Sequence, residues 1–530
     1  MKDLLPTILS DSYKQSHYQM YPKGLTKLYS NFTARKSRMP GVNSVIFFGL
    51  QYFLYEYLIV QFSHNFFLRP KEEVIKEHKR IVAPFSAGEI VTEQWEKLHD
   101  LGYLPLHIKA VPEGTSVPIG VPMLTITNTH PEFAWLVNFI ETMLSTTLWQ
   151  PITSATIANE FKKLSIKHAR LTGGDESFAD WQNHDFSMRG MSSIESACLS
   201  GAGHLTSCKG SDTIPALSFL EKYYFAEGLI AGSVPATEHS VMSCGGKEDE
   251  IETFSRLMDT FPNGILSIVS DTWDLWKVLT EYLPALKDKV MARDGKIVVR
   301  PDSGDPVDII CGAAIKGNLN YDGTGRAYPD DTKNGWSKVY ENEGSYFKIV
   351  GGQYNKQWDK IEVTPNVQGV IELLWDAFGG TINEKGYKVL DPHVGAIYGD
   401  SITLERAEQI FKRLEAKGFC STNIVFGIGS FTYQYNTRDT FGMAMKATYC
   451  EIDGVGKTIF KDPITDSGEK KSAKGLLLVQ ENGYVPPTLE LIQEVSWELE
   501  AQGELKTVFK DGVVTPTNLE TIRTIIKNNL

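Results

Sequence analysis

The 530-residue sequence contains neither a Cys-x-x-Cys pair nor a dense cysteine framework. Its six cysteines, at 198, 208, 244, 311, 420 and 450, are scattered, so neither a disulfide scaffold nor a cysteine-based structural zinc site organises the chain. They read as free thiols of a reducing compartment. Long hydrophobic runs are missing too: the most apolar helical stretch, around 131–149, is broken by Glu132, Asn138 and Glu141. The opening Met1-Lys2-Asp3-Leu4-Leu5-Pro6 has no apolar core or small-residue cleavage site of a secretory signal. A soluble cytoplasmic protein with no membrane partner is the expectation. Positive charge is in deficit, 53 Lys+Arg against 65 Asp+Glu for a net charge of −12. No phosphate-backbone footprint covers such a surface, and nucleic acid is not expected as a partner. Any anionic ligand must meet a local cationic pocket. No period of 20 to 50 residues repeats, which disfavours a solenoid or propeller, and no G-x-x-x-x-G-K-[ST] occurs, which disfavours the P-loop nucleotide class.

Apolar residues make up 42% and charged residues 22%, and Gly and Pro are near ordinary usage, so a sizeable core is expected. The length suggests three or four domains or one large barrel with additions. Residues 104–128 carry short β-favouring runs separated by Pro and Gly, predicting a compact antiparallel set. Helices are predicted over 131–149 and again over 155–171, where Ile157, Phe161, Leu164 and Leu171 fall near helical spacing. From about 210 four apolar runs end abruptly in acidic, small or glycine residues: LSIVSDTWD (266–274), KIVVRPDSGDP (296–306), VGAIYGDSI (394–402) and NIVFGIGSF (423–431). Each reads as the strand and loop of a βα unit in a parallel sheet or barrel, whose ligands sit at the carboxyl ends. Residues 312–368 interrupt this rhythm and read as an insertion with hairpins of its own, and 443–513 as a separate strand-rich region.

Several segments carry groups suited to chemistry. In SVPATEHSVMS (233–243) Thr237 is placed to cap a helix whose first turn holds Glu238 and His239, and the nearby Asp271 and Asp274 can orient the imidazole. Alone, this histidine is as readily a structural one. Arg300 and Asp302 flank Pro301 at a strand end; Arg suits bidentate phosphate binding and Asp a ribose hydroxyl or Mg²⁺, the alternative being a surface ion pair. Gly399-Asp400-Ser401 has the character of a phosphate nest, and Gly427, Gly429 and Ser430 lie at a strand-to-helix turn. Phe186 and Arg189 offer a flat ring and a planar cation three residues apart, and Asp212 of KGSDT can accept from an amide, unless it only makes a turn.

Together, DSYKQSHYQMYP (11–22), FFGLQY (48–53), IKAVPEGTSVPIGVPMLTITNTHPE (108–132), HDFSMRG, KGSDT, SVPATEHS, VSDTWD, RPDSG, YGDS, TRDTFGMAMK (437–446) and IFKDP (459–463) resemble the nicotinamide phosphoribosyltransferase family. The resemblance runs in order from about residue 8 to 513, apart from the insertion. It implies a type II phosphoribosyltransferase: an α/β barrel-like catalytic domain over 181–429, bearing the 312–368 insertion, and a mixed α+β domain built from 1–180 with 430–530. It also implies a homodimer with shared active sites. The implied reaction converts nicotinamide and phosphoribosyl pyrophosphate to nicotinamide mononucleotide and pyrophosphate, with Mg²⁺ bound mainly through substrate phosphates and ATP hydrolysis coupled through a phosphohistidine, in NAD salvage. No protein ligand for the metal is assigned.

By that resemblance His239 is the phosphorylated histidine and Asp274 its partner. Phe186 and the second subunit's Tyr13 sandwich the nicotinamide ring, and Asp212, with Ser270 nearby, reads the carboxamide. Arg300 and Asp302 meet ribose and phosphate, and Gly399, Asp400, Gly429 and Ser430 cradle the 5′-phosphate. Arg189, Arg35, Arg438, Lys446 and Lys461 form the cationic set around pyrophosphate, and Asp11 and Ser233 belong to the substrate-binding residues. An ionised Asp212 accepts from an amide but repels the carboxylate of nicotinate by about 1 to 4 kcal/mol at 4 Å. The alternatives are a nicotinate-preferring enzyme and a non-catalytic binding protein on the same fold. Ser430, followed by Phe431, replaces a glycine of the run the family commonly has there, Met188 replaces a tyrosine, and Trp181 stands where another aromatic is common.

Overall fold

The four apolar runs that end in Asp, Ser or Gly are strands of one parallel sheet. A computed structural model of the chain describes all residues except 1–3, 87–89, 317–318, 322–326, 330–338, 343–344, 351–356, 400, 464 and 466–471. The sheet has six strands in the order Gly210–Ser211, Asn183–Asp185, Ile424–Ile428, Val394–Tyr398, Asp294–Arg300, Asn263–Val269. Alternate side chains, among them Leu266, Ile268, Ile297, Val299, Ala396, Phe426 and Ile428, enter one core with the surrounding helices. The intervening positions, such as Ser267, Arg300, Gly395 and Gly427, therefore face the opposite side.

The two edges of this sheet are tied together by residues 232–237. Gly232 forms a parallel bridge with Gly210, and Ala236 with Ser267. Ser211 N–H donates to Gly232 O at 3.1 Å, and Thr237 N–H to Ser267 O at 3.0 Å. The sheet thus curls into a barrel-like ring with all carboxyl ends at one mouth. This closure also corrects the expected helix cap. Thr237 Oγ1 accepts from Val269 N–H at 2.9 Å, while Glu238 occupies the N-cap of the helix His239–Gly245 without a side-chain cap bond.

A second sheet is antiparallel and has seven strands, in the order Val455–Thr458, Ala444–Ile452, Leu25–Thr33, Pro122–Asn128, Leu106–Ala110, Lys506–Lys510, Val513–Val514. The C-terminal strands are therefore not a separate β region. Ala444–Ile452 runs the length of Leu25–Thr33, with Ser30 opposite Ala447 and Phe32 opposite Met445. A strand whose side chains are buried from Leu28 to Thr33 needs a partner on each edge, and the chain's own C-terminal part supplies one. The hairpin Leu476–Glu481 with Leu489–Val495 forms its own two-stranded sheet. Residues 312–368 hold a four-stranded sheet of Ala314–Lys316, Val339–Asn342, Ser345–Val350 and Gln357–Ile361, and a small hairpin, Leu319–Tyr321 with Ala327–Pro329.

The predicted break between 149 and 155 does not occur: Glu141–Thr172 is one helix of 32 residues with Pro151 inside it. Proline removes one helical N–H, but Pro151 is buried where the helix Ile194–Leu205 crosses, and packing outweighs the local loss. Gly203 allows that crossing, since a Cβ there would lie 2.9 Å from Pro151 O and 3.0 Å from Ala155 N. The helix joins both halves, with Leu144, Leu148 and Ile152 in the core of the antiparallel sheet and Ile157 and Phe161 in that of the ring. All six thiols are free, and Cys208, Cys311, Cys420 and Cys450 are buried. Among the described residues no helix is long and apolar enough to cross a membrane.

Glu113 is a buried carboxylate that fastens the turn before Leu50–Phe53. It accepts from Gly49 N–H and Gln51 N–H at 2.7 Å each and from the Tyr224 hydroxyl at 2.9 Å. Burial nevertheless outweighs these bonds and raises its pKa from 4.5 to about 7. The folded state then holds this proton more tightly than the unfolded chain, so stability falls as pH rises through that interval. We expect the urea midpoint of the wild type to decline between about pH 5 and 7 relative to that of Glu113→Gln, whose side chain cannot ionise. Parallel pH profiles would contradict this assignment.

Candidate active site

The ring gathers residues from five strand ends. Phe186 follows Asn183–Asp185 and continues the ladder by donating its N–H to Ile428 O at 2.9 Å. Asp212 follows Gly210–Ser211, Ser270 follows Asn263–Val269, Asp302 follows Asp294–Arg300, and Gly399 follows Val394–Tyr398. Two glycines let these ends interlock. A Cβ on Gly427 would lie 2.5 Å from the Phe186 ring and 2.9 Å from Gly399 Cα. One on Gly399 would lie 2.8 Å from Asp302 Oδ1 and 3.4 Å from Arg300 Nε. The Arg300 guanidinium sits 5.4 Å from the centroid of the Phe186 ring, a cation on an aromatic face. Its Nε is buried and has no hydrogen-bond partner.

Asp212 is fixed from one side. His184 Nε2 lies 2.8 Å from Asp212 Oδ1, and the Ser233 hydroxyl donates to the same oxygen. Oδ2 has no partner among the described residues. Burial works to raise the carboxyl pKa, but the bonds from His184 and Ser233 and the charges of His184 and Arg300 hold it below the usual range. An ionised acceptor therefore keeps one oxygen free of partners among the described residues. Ser270 is fully buried and donates its hydroxyl to Ile268 O at 2.7 Å, so it shapes the loop rather than offering that proton to a ligand.

Opposite lies His239, the first residue of its short helix and half exposed. Its Nδ1 is 3.1 Å from Thr272 Oγ1 and its Nε2 is 3.9 Å from Asp302 Oδ2. Asp274 is engaged differently from the expectation: its Oδ1 accepts from the N–H groups of Trp276 at 3.0 Å and Lys277 at 3.1 Å, capping the next helical turn. The neighbours that the structure gives the imidazole are Thr272 and Asp302. Gly429 is the N-cap of the turn Ser430–Tyr433, whose first N–H groups have no intrahelical acceptor and suit an anion. Ser430 fits because its neighbour is Gly190: a Cβ on Gly190 would overlap the Ser430 hydroxyl. Arg189 stands exposed beside that contact. Phe431 points away, half exposed and stacked on Tyr435 at 5.6 Å and 11°. Asp400 lies outside the described residues.

The remaining expected residues form a second cluster on the antiparallel sheet. Burial first, and then the charges of Arg35, Lys461 and Arg438, hold the Lys446 ammonium below the usual lysine range, against the opposing pull of Glu141. Tyr13 is 60% exposed. Partial burial and the charges of Asp11 and Glu141 raise its pKa against Arg438. Asp11 Oδ2 accepts from Thr142 Oγ1 at 2.8 Å. Among the described residues, no hydrogen bond or ion pair joins this cluster to the mouth of the ring. His184 and Thr272 were not singled out by the sequence reading. Alternation was a usable signal for His184, which lies two positions from Phe186 in an extended segment, but nothing local marks Thr272.

The parallel ring, closed through residues 232–237 and opening a mouth at the carboxyl ends of its strands, has a type II phosphoribosyltransferase fold. Residues 181–513 match the nicotinate phosphoribosyltransferase (NAPRTase) family and residues 6–108 the N-terminal domain of nicotinamide phosphoribosyltransferase. The chain is 47% identical over 517 residues to the nicotinamide phosphoribosyltransferase of Acinetobacter baylyi, covering 95% of this chain and 93% of that protein. It is 36% identical over 474 residues to the nicotinamide phosphoribosyltransferase of Mycoplasma pneumoniae, covering 86% and 92%. Among solved structures it is similar to the nicotinate-nucleotide pyrophosphorylase of Pyrococcus furiosus, with a TM-score of 0.51 at 14% identity over 99% and 95% of the two chains, a likeness of fold. The chain belongs to the nicotinamide phosphoribosyltransferase family, and it is an enzyme of the glycosyltransferase class.

We expect Gly427→Ala to lower kcat/KM for phosphoribosyl transfer about tenfold or more, because overpacking against Phe186 and Gly399 costs about 1 to 3 kcal/mol. Steady-state rates, with folding checked by thermal melting, test this. Wild-type kinetics would mean that the Phe186 ring has room to move.

Proposed function

We propose that the enzyme joins nicotinamide to the ribosyl group of phosphoribosyl pyrophosphate, releasing pyrophosphate, and that ATP assists through phosphorylation of His239, as a step of NAD salvage in the cytoplasm. The observation that carries the choice of acceptor is Asp212, at a strand end of the mouth, ionised and with Oδ2 free of partners among the described residues. A carboxamide NH₂ donates to that oxygen, whereas the carboxylate of nicotinate is repelled by it. The pyridine ring stacks on Phe186, with Tyr13 of a second subunit on its other face.

The ring nitrogen forms a bond to ribose C1 as the bond from C1 to the pyrophosphate oxygen breaks, through an oxocarbenium-like state. Arg300 and Asp302 hold the ribose and its phosphates, and the turn at Gly429 and Ser430 receives the 5′-phosphate. Arg189 and the Arg35, Arg438, Lys446 and Lys461 cluster neutralise the leaving pyrophosphate. Since among the described residues that cluster shares no hydrogen bond or ion pair with the mouth of its own chain, a homodimer in which each subunit completes its partner's site accounts for its position. Among the described residues, no group of three or more acidic, His or Cys side chains forms a metal cage. Mg²⁺ would be carried mainly by diphosphate oxygens, with Asp302 as the protein's contribution. When bound, the ion offsets charge on the leaving group.

The test is a comparison of nicotinamide and nicotinate as acceptors. We expect clear preference for nicotinamide, persisting to about pH 5 because Asp212 stays ionised there. Asp212→Asn should reduce the preference between about 5-fold and 1,000-fold. A wild-type preference for nicotinate would overturn the reading of Asp212. For the ATP arm, His239→Ala should abolish stimulation by ATP while a weaker ATP-independent reaction survives. Equal stimulation in mutant and wild type would refute a phosphohistidine.

A further inference from the structure

Residues 270–274 touch three neighbouring parts of the mouth at once. Ser270 N–H donates to Arg300 O at 3.1 Å, carrying the parallel ladder one residue beyond the strand. Asp271 Oδ2 accepts from Asp302 N–H at 2.9 Å and from the Ser303 hydroxyl at 2.6 Å. Thr272 Oγ1 lies 3.1 Å from His239 Nδ1, and Asp274 caps the turn that ends the loop. One short loop therefore holds both the imidazole and the carboxylate segment that it faces. The second oxygen of Asp271, Oδ1, is buried with no hydrogen-bond partner. An unmet buried acceptor is a cost that a merely structural turn would shed, and such costs gather at functional sites. A hydroxyl accepting from Nδ1–H leaves Nε2 with its lone pair free, the tautomer required of a nucleophilic imidazole.

We propose that Asp271 and Thr272 are positioning residues that register His239 against the Asp302 segment: Thr272 fixes the tautomer and direction of the imidazole, and Asp271 holds the backbone from which Asp302 reaches the ribose. The Thr272 half rests on the reading of His239 as the phosphorylated residue; the Asp271 half does not.

Thr272→Val, Thr272→Ser, Asp271→Ala and Asp271→Asn test this in the full-length enzyme, with melting temperatures checked. Thr272→Val should slow labelling of the protein from γ-labelled ATP about tenfold, and Thr272→Ser should restore it. In reactions without ATP, Asp271→Ala should raise KM for phosphoribosyl pyrophosphate about tenfold and leave KM for nicotinamide within about twofold. Asp271→Asn keeps one acceptor oxygen and should give the same split at smaller amplitude, which decides the matter if Asp271→Ala melts below the assay temperature. Labelling of Thr272→Val at the wild-type rate, or a rise of both KM values together in the Asp271 variants, overturns the proposal. If the wild type takes up no label, the phosphohistidine reading falls and the Thr272 half with it, while the KM split still decides Asp271.

Discussion

The site depends on two missing methyl groups. Four neighbouring strands of the ring bring Phe186, Gly427, Gly399 and the Arg300–Asp302 segment to one mouth, and their backbones approach so closely that a Cβ at Gly399 or Gly427 would fall inside its neighbours. Interiors pack at crystal-like density, so space cannot be recovered by small shifts elsewhere. The Arg300 guanidinium on the Phe186 face, and Asp302 against Gly399, follow from that close approach. The hydrogen bonds around the mouth refine an arrangement that sterics has already imposed.

Electrostatics then divides the labour. A chain with a net charge of −12 nevertheless concentrates cations locally. It does so in two places, at Arg300 and Arg189 around the mouth and in the Arg35, Arg438, Lys446 and Lys461 cluster on the antiparallel sheet. Mutual repulsion and burial make the second cluster costly without an anion, since Lys446 is pushed below its usual range. Asp212 is the counterpart: His184 and Ser233 keep it ionised through one oxygen and leave the other without a partner among the described residues. Groups of opposite charge are thus set on different strands of the mouth.

Much of the ring was legible in the sequence because a buried parallel strand writes itself as an apolar run with an abrupt polar end. The runs ending at Asp271, Asp302, Gly399 and Gly429 all became neighbouring strands of the ring. Readings failed where distant packing overrode a local signal. Two helices were expected over 131–149 and 155–171, but packing around Pro151 keeps Glu141–Thr172 continuous. Thr237 looked like a cap, yet its hydroxyl is used to close the ring. Local pattern alone set 443–513 apart, yet Ala444–Ile452 pairs with Leu25–Thr33, more than 400 positions away in the chain. Asp274 shared a segment with residues of the mouth, but it caps its own helix, and Thr272 beside it faces His239.

By itself the sequence determined the class of fold, the residue types at each strand end and the order of the motifs, because periodicity and turn chemistry are local properties of the chain. Only the tertiary structure decided which side chains meet. Closure of the ring through residues 232–237 brings Ser233 to Asp212 and His239 to Thr272 and Asp302. The same folding leaves the Lys446 cluster on the other sheet. Such contacts join residues separated by tens to hundreds of positions, and their geometry is set by strand order and close packing, which no local pattern encodes.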